Sequence, residues 1–344
     1  MSSAKKTIVI LVGIIAVIAV GFVLQQLAFV LPHLILAIFL GNIFSPLIDR
    51  MRKYGVPMPI IIILILLIVA AALTGVAYAL YLGIDSVVQN APKYQDRLNE
   101  LLNSVNSFIQ NSSQKLYGKS VDFNWQEMAN LDRISGVAHA IAGSFVSIFG
   151  DRFLVLLFLI FVLAEARIFS VQIQTAFTND HALQTLTVIN RIDKEVRQYI
   201  LSKLLINTIN GVANAVIMFS FGVDFALLSA VLAFLLNFIP NIGTFISLGF
   251  PILVVLLQFT SWPMIIIIIS LLVLVEFVIG NVLEPRIMGH SLNLSPLVVL
   301  FSLIFWGWLW GGWGMIMAVP ITSVLKIVMQ NIEALRPIAL LMSE

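Results

Sequence analysis

The chain has 344 residues, 60% of them hydrophobic and 10% charged, with a formal net charge of +2 and no cysteine. Soluble domains carry about 25% charged residues, so a water-exposed surface here would have to be built from Leu, Ile, Val and Phe, which excludes a soluble globule. The small net charge offers no basic face for nucleic acid, and the missing cysteines exclude disulfides, thiolate nucleophiles and thiolate metal sites.

Lys5 and Lys6 precede an apolar run over residues 7–24. The run is longer than the roughly 7–15 residues of a signal-peptide core, and no A-x-A-like site follows it, so it reads as a retained first span. A helix needs about 20 apolar residues to cross the hydrocarbon. Residues 7–30, 33–48 and 58–84 are the first three candidates, and residues 1–84 form one N-terminal region. Residues 85–150 then mix charges with Asn, Gln and Ser. Residues 151–203 hold a fourth apolar run, 153–169, and an amphipathic polar stretch, 170–203.

Within 85–150, Tyr94, Leu98, Leu101, Val105 and Phe108 recur at spacings of 4, 3, 4 and 3. That is an apolar stripe on a helix. A second stripe runs through Leu131, Ile134, Ala138, Ile141, Phe145 and Ile148. The two stripes either pack on each other as an extramembrane cap, or the first meets a neighbouring subunit in a homo-oligomer.

Residues 204–344 are apolar again but interrupted, in pieces 204–222, 225–239, 244–259, 264–283, 297–310 and 313–329. Pro240-Asn241-Ile242-Gly243, Pro263, Glu284-Pro285-Arg286 and Gly311-Gly312 separate them. Broken backbone at membrane depth is tolerated only where protein or a wet cavity satisfies it. Two helices, each followed by a broken pair, suit an inverted repeat with two re-entrant hairpins. The fold expected is therefore all-α: a polytopic helical membrane protein with broken hairpins in its C-terminal half and a small helical extramembrane segment. Arg50, Arg52, Lys53, Arg167, Arg191, Lys194, Arg197, Lys203, Arg286, Lys326 and Arg336 fall on one side of that topology. By the positive-inside rule the N-terminus is cytoplasmic and 85–150 is extracytoplasmic.

Polar residues inside the apolar half are the candidates for function. Glu276 lies within a span, where a charge costs about 2.5–3.5 kcal/mol to insert, and Asn281, Glu284 and Arg286 follow it. It either couples an ion or solute, or reaches water or Arg286 near the interface; Gly280 beside it would let a helix or ligand approach. Asn207, Asn210 and Asn214, spaced 3 and 4, share one helix face. Their amides either bond across helices or line a polar path for a hydroxylated solute. At Asn237-Phe238-Ile239-Pro240-Asn241-Ile242-Gly243 the proline frees backbone carbonyls, which transporters use for ions and substrates; a plain tight turn is the alternative.

His33, His139, His181 and His290 lack metal-ligand spacing, and there is no HExxH or Walker sequence. No nucleophile–base pair stands out either. The expectation is a protein without catalytic residues, metal or cofactor. Trp306, Trp308, Trp310 and Trp313 read as an interfacial belt, with a gate or solute-stacking platform as the alternative.

The Asn237–Gly243 break, Glu284-Pro285-Arg286-Ile287-Met288-Gly289, Leu294-Ser295-Pro296-Leu297-Val298-Val299, Ser302-Leu303-Ile304-Phe305-Trp306-Gly307-Trp308 and Gly314-Met315 leading to Val319-Pro320 together resemble the autoinducer-2 exporter family of bacterial inner-membrane proteins. The resemblance covers essentially the whole chain and implies a secondary transporter exporting autoinducer-2 or a similar small polar solute. Sodium or lithium/proton antiport also occurs in that family, so a proton or sodium ion is the coupling partner expected. A non-transporting membrane scaffold is the reading from another class.

Overall fold

The computed structural model describes residues 3–117, 152–176, 179–288 and 294–343, and among them every regular element is helical. In chain order these are α1 (Ser3–Gln26), α2 (Leu31–Lys53), α3 (Met58–Asn90), a 3-10 turn (Ala91–Tyr94) and α4 (Gln95–Tyr117). There follow α5 (Arg152–Ala176), α6 (Asn179–Ser220), α7 (Ala226–Leu236), α8 (Ile242–Gln258) and α9 (Trp262–Val278). A π-helical segment (Ile279–Leu283) leads to α10 (Glu284–Met288), then α11 (Pro296–Gln330) and α12 (Arg336–Leu341).

Among the described residues, five helical stretches are long and apolar enough to cross a membrane: Leu31–Lys53, Met58–Asn90, Thr185–Ser220, Trp262–Met288 and Pro296–Gln330. Their outward faces are apolar, with Ile266 60%, Phe301 62% and Leu297 64% exposed. Lipid tails solvate such faces as well as a protein core does, so packing and polar pairing, rather than burial from water, hold these helices together.

Two element boundaries differ from the sequence reading. α3 continues past residue 84 because its polar end is stitched to itself: the Gln89 amide donates to Asp85 Oδ2 at 2.7 Å and the Asn90 amide to the Ser86 carbonyl at 2.7 Å. The polar stretch before residue 204 and the apolar one after it form the single 42-residue α6. The change at 203–204 is one of polarity and contains no Gly or Pro, so nothing in the backbone ends the helix there; the Arg191–Glu195 pair at 2.8 Å supports its polar arm.

The chain divides into two compact units. One comprises Met1–Ala71, Asp151–Leu204 and Met288–Glu344. In it α2 lies close against α5, where Gly41 leaves room for Val162, Leu159 and Leu163. The C-terminal residues fold back on the start of α11, the Ser295 N–H donating to the Met342 carbonyl at 3.0 Å, beside a core of Tyr199, Leu294 and Val319.

α11 is not one rod. At Trp310 (φ −131°, ψ 15°) and Gly311 (φ 60°, ψ −139°) the backbone leaves the helical region, and Gly311 occupies ground that only glycine enters readily. On a straight helix Trp306 and Thr322 would lie about 24 Å apart. Instead the Trp306 indole N–H donates to Thr322 Oγ1 at 3.1 Å. The two arms form a hairpin closed so tightly that a Cβ on Gly314 would sit 1.8 Å from the Trp306 carbonyl oxygen. The break read at Gly311-Gly312 is therefore a reversal. The tryptophans divide accordingly: Trp306 and Trp310 are buried with ring centroids 4.9 Å apart, and the Trp310 indole donates to the Leu24 carbonyl at 3.0 Å, whereas Trp308 is exposed. A belt of all four is thereby excluded, because two indole N–H groups are spent inside the protein.

The other unit comprises Ala72–Gly150 and Leu205–Ile287. Here α7 and α8 form a second hairpin about 237–241, with the Ile239 N–H on the Leu236 carbonyl at 2.8 Å and the Gly243 N–H on the Ile239 carbonyl at 3.0 Å. Pro240 supplies no donor, Asn241 carries the positive φ of 62°, and a Cβ on Gly243 would meet the Leu236 oxygen at 1.7 Å. A core of Met218, Val255, Ile268 and Leu272 joins α6, α8 and α9. Leu228 of α7 packs on Leu80 of α3. Of the α4 stripe, Tyr94 is buried, Leu98 and Leu101 are half-buried and Val105 is exposed. The second stripe, 131–148, lies outside the described residues.

The expected interruption at Glu284-Pro285-Arg286 does not end the helix. Pro285 has no N–H and its ring would clash with the carbonyl four residues back. The chain widens instead into the π segment, where the Glu284 N–H reaches the Ile279 carbonyl, and then continues to Met288. Such widened turns recur at functional sites.

Candidate functional site

The site begins with the spacing of three asparagines on α6. Asn207 and Asn210 are 0% exposed and Asn214 3%. Gly211, on the same helix, allows α7 to approach so closely that a Cβ there would meet the Ala230 carbonyl oxygen at 2.8 Å. This close crossing seals the amides from the surroundings. A buried amide without a partner costs about 1–3 kcal/mol, so their partners decide the site.

Asn214 turns back on its own helix, its amide nitrogen donating to the Asn210 carbonyl at 3.0 Å and to Asn210 Oδ1 at 2.8 Å. The Asn210 amide in turn donates to Glu276 Oε2 on α9 at 2.8 Å. From the far end of α7, the Asn237 amide nitrogen lies 3.5 Å from Glu276 Oε1. Asn237 Oδ1 accepts from the Ser247 hydroxyl of α8 at 3.2 Å, a hydroxyl also 3.1 Å from the Thr244 carbonyl. Four helices thus converge on one carboxylate. The break at Pro240 places Asn237 at the end of its helix, and Gly243 brings α8 near enough for Ser247 to reach it.

Asn207 is on the same face, one turn away, and neither atom of its carboxamide has a partner. That is rare for buried polar groups. It marks a place where a donor and an acceptor from elsewhere would be welcome.

The other residues singled out in the sequence stand apart. Asn281 is exposed and its amide donates back to the Phe277 carbonyl of its own helix at 3.1 Å. Arg286 is exposed and Glu284 half-buried beyond the π segment. Pro240, Asn241 and Gly243 shape the turn, with Asn241 exposed. Gly280 faces open space, a Cβ there meeting nothing within 4 Å, so it is not the contact point of another helix among the described residues. Ser247 was not anticipated; its only signal was a hydroxyl ten residues after Asn237 in a helix whose other polar side chains are Thr244 and Gln258.

A second polar cluster was also not anticipated. At the α6–α7 turn, Asp224 receives Lys93 Nζ at 2.9 Å and the Tyr94 hydroxyl. Gln258 clamps the turn, accepting the Asp224 N–H and donating to the Gly222 carbonyl, both at 2.7 Å. Burial alone would raise the Asp224 carboxyl, but the hydrogen bonds from Lys93 and Tyr94 and the Lys93 charge bring it below its ordinary value. Burial first, and then Asp224, push the Tyr94 phenol up, so it stays a donor. Tyr94 reads from sequence as an apolar stripe residue, which hides its hydroxyl. Among the described residues no group of three or more His, Asp or Glu could hold a metal ion.

Against known proteins, a family profile described as AI-2E family transporter matches residues 8–334. The "Putative transport protein YhhT" of Escherichia coli (strain K12) is 31% identical over 313 residues, covering 91% of this chain and 88% of that protein. The "AI-2 transport protein TqsA" of the same strain is 30% identical over 339 residues, covering 98% and 95%. A "Sodium-lithium/proton antiporter" of Halobacillus andaensis is 23% identical over 324 residues, covering 88% of each.

Proposed function

The chain belongs to the AI-2E family of transporters, and on that premise we propose that it is a secondary transporter exporting a small polar solute, of which autoinducer-2 is the leading candidate. The observation that carries this reading is Glu276 held by Asn210 and Asn237 within a buried amide cluster at a broken hairpin. A carboxylate in an apolar span is expensive, and a group whose charge can be cancelled by an ion is the simplest way to link a gradient to movement. Glu276 is that coupling group in our reading. The carboxamide face from Asn207 to Asn214 meets the hydroxyls of the solute.

The setting is the bacterial inner membrane, with the N-terminus cytoplasmic and 85–150 outside. Both hairpins are re-entrant in this reading. The short arms of the first support it, since α7 has 11 residues and α8 has 17, below the roughly 20 of a span. Self-association through α4 belongs to the proposal and is supported by the exposure of Val105.

A second reading, a cation/proton antiporter, is favoured by the half-buried carboxylate and by the name of the Halobacillus relative. Proteoliposomes under imposed proton or sodium gradients separate the two. Solute flux driven by a gradient and abolished by Glu276→Gln, with folding unchanged, is the expected result. Cation flux without any solute moves the assignment to the antiporter, and undiminished flux in Glu276→Gln removes Glu276 from the mechanism.

A further inference from the structure

We infer that the ion taken up at Glu276 is a proton rather than a metal cation, and that the Asn237 carboxamide, with Ser247, is a switch that turns over when Glu276 is protonated. This rests on Glu276 as the coupling group and specifies the ion.

The two amides facing the carboxylate are held differently. A carbonyl oxygen only accepts, so the end of Asn214 that sits 3.0 Å from the Asn210 carbonyl must be its nitrogen. The same nitrogen faces the Asn210 side chain at 2.8 Å, which must therefore present oxygen there. Asn210 is left with its N–H directed at Glu276 Oε2. The orientation is forced, and it puts a donor where a bound metal ion would need an oxygen.

Asn237 has no such constraint. The Ser247 hydroxyl carries one hydrogen and has two acceptors within reach, Asn237 Oδ1 at 3.2 Å and the Thr244 carbonyl at 3.1 Å. With Glu276 ionised, the Asn237 N–H faces Oε1 and the Ser247 O–H faces Asn237 Oδ1. A proton arriving on Oε1 forms an O–H bond there and makes that oxygen a donor. Rotating the carboxamide then lets Oε1–H donate to Asn237 Oδ1 and the Asn237 N–H donate to Ser247 Oγ. The Ser247 hydrogen passes wholly to the Thr244 carbonyl. Each of these donors keeps an acceptor in both states, and no other atom is gained or lost. Since Asn237 closes α7 at the break, the proton's arrival is felt where the hairpin turns.

Charged groups on the elements around Glu276 are few: α6 carries Lys203, buried about two turns before Asn210. From Leu205 to Val275 the chain contains a single Asp, Glu, Lys, Arg or His, Asp224. That residue is at the α6–α7 turn, held by Lys93 and Tyr94. On the helix of Glu276 itself, Glu284 and Arg286 lie beyond the π segment.

Infrared difference titration of the full protein in lipid nanodiscs tests this. A protonated-carboxyl band should grow as pH falls, be missing in Glu276→Gln, and keep its midpoint when choline chloride is replaced by sodium or lithium chloride. Asn210 donates to Oε2 in both forms but more strongly to the charged one, so Asn210→Ala should raise the midpoint by about one pH unit, the difference between a charged and a neutral hydrogen bond. Asn237 turns over to serve both forms, so Asn237→Ala should move it far less. A midpoint lowered by sodium or lithium in the wild-type protein overturns the proton assignment without need of any variant. Equal shifts in the two alanine variants overturn the switch. Loss of coupled flux is a separate readout: if Glu276→Gln still transports, the functional reading fails while the titration stands.

Discussion

Asn207 presents a conflict between stability and use. Its carboxamide is wholly buried and unpartnered, which costs about 1–3 kcal/mol in a closed protein. Leucine fills nearly the same space without a polar atom. Asn207→Leu is therefore expected to raise the thermal midpoint of the purified protein while abolishing solute export in proteoliposomes. A variant that is less stable yet transports normally would show that the amide serves packing alone. That the three asparagines share a face was legible from a spacing of 3 and 4. That Asn207 is the unpaired one was not, because pairing depends on Glu276, sixty-nine residues further along the chain.

Among the elements, the hairpins are the most sharply specified. At Gly243 any side chain would collide with the Leu236 carbonyl, backbone against Cβ at 1.7 Å, so neither partner can swing aside. Gly243→Ala should destabilise at or above the upper end of the about 1–3 kcal/mol that overpacking costs. Gly249→Ala, in the same helix with nothing within 4 Å of its Cβ, should be neutral. Thermal unfolding followed by size-exclusion fluorescence distinguishes them, and equal behaviour would mean that the turn is looser than its geometry. Both reversals were legible because Gly and Pro punctuate an apolar run strongly. Glu284-Pro285-Arg286 misled for the same reason, since a proline can be absorbed by widening one turn. The join at 203–204 misled because polarity changed while helix propensity did not.

At the scale of the whole molecule, apolar composition made the membrane fold legible from the first lines of sequence, and the lysines and arginines are the basis of the orientation proposed for it. The orientation has a clean test, because the native chain has no cysteine and a single introduced one reports alone. Ser104→Cys, exposed on α4, should react with an impermeant maleimide in intact cells. Tyr54→Cys, at a position 83% exposed after α2, should react only once the cells are opened. The opposite pattern would invert the topology. What composition could not convey is the convergence of α6, α7, α8 and α9 on one carboxylate, which arises from the turns that join them and the close crossing at Gly211 rather than from any local run. The widened turn at Ile279–Leu283 bears on how relatives should be compared. It accommodates one residue more than a regular turn, and one residue is worth about 100° of helix rotation. A family member without a proline at the position of Pro285 can shed that residue and keep Glu276 in place, so a single gap there when two relatives are aligned records a change of pitch and leaves the chemistry in frame.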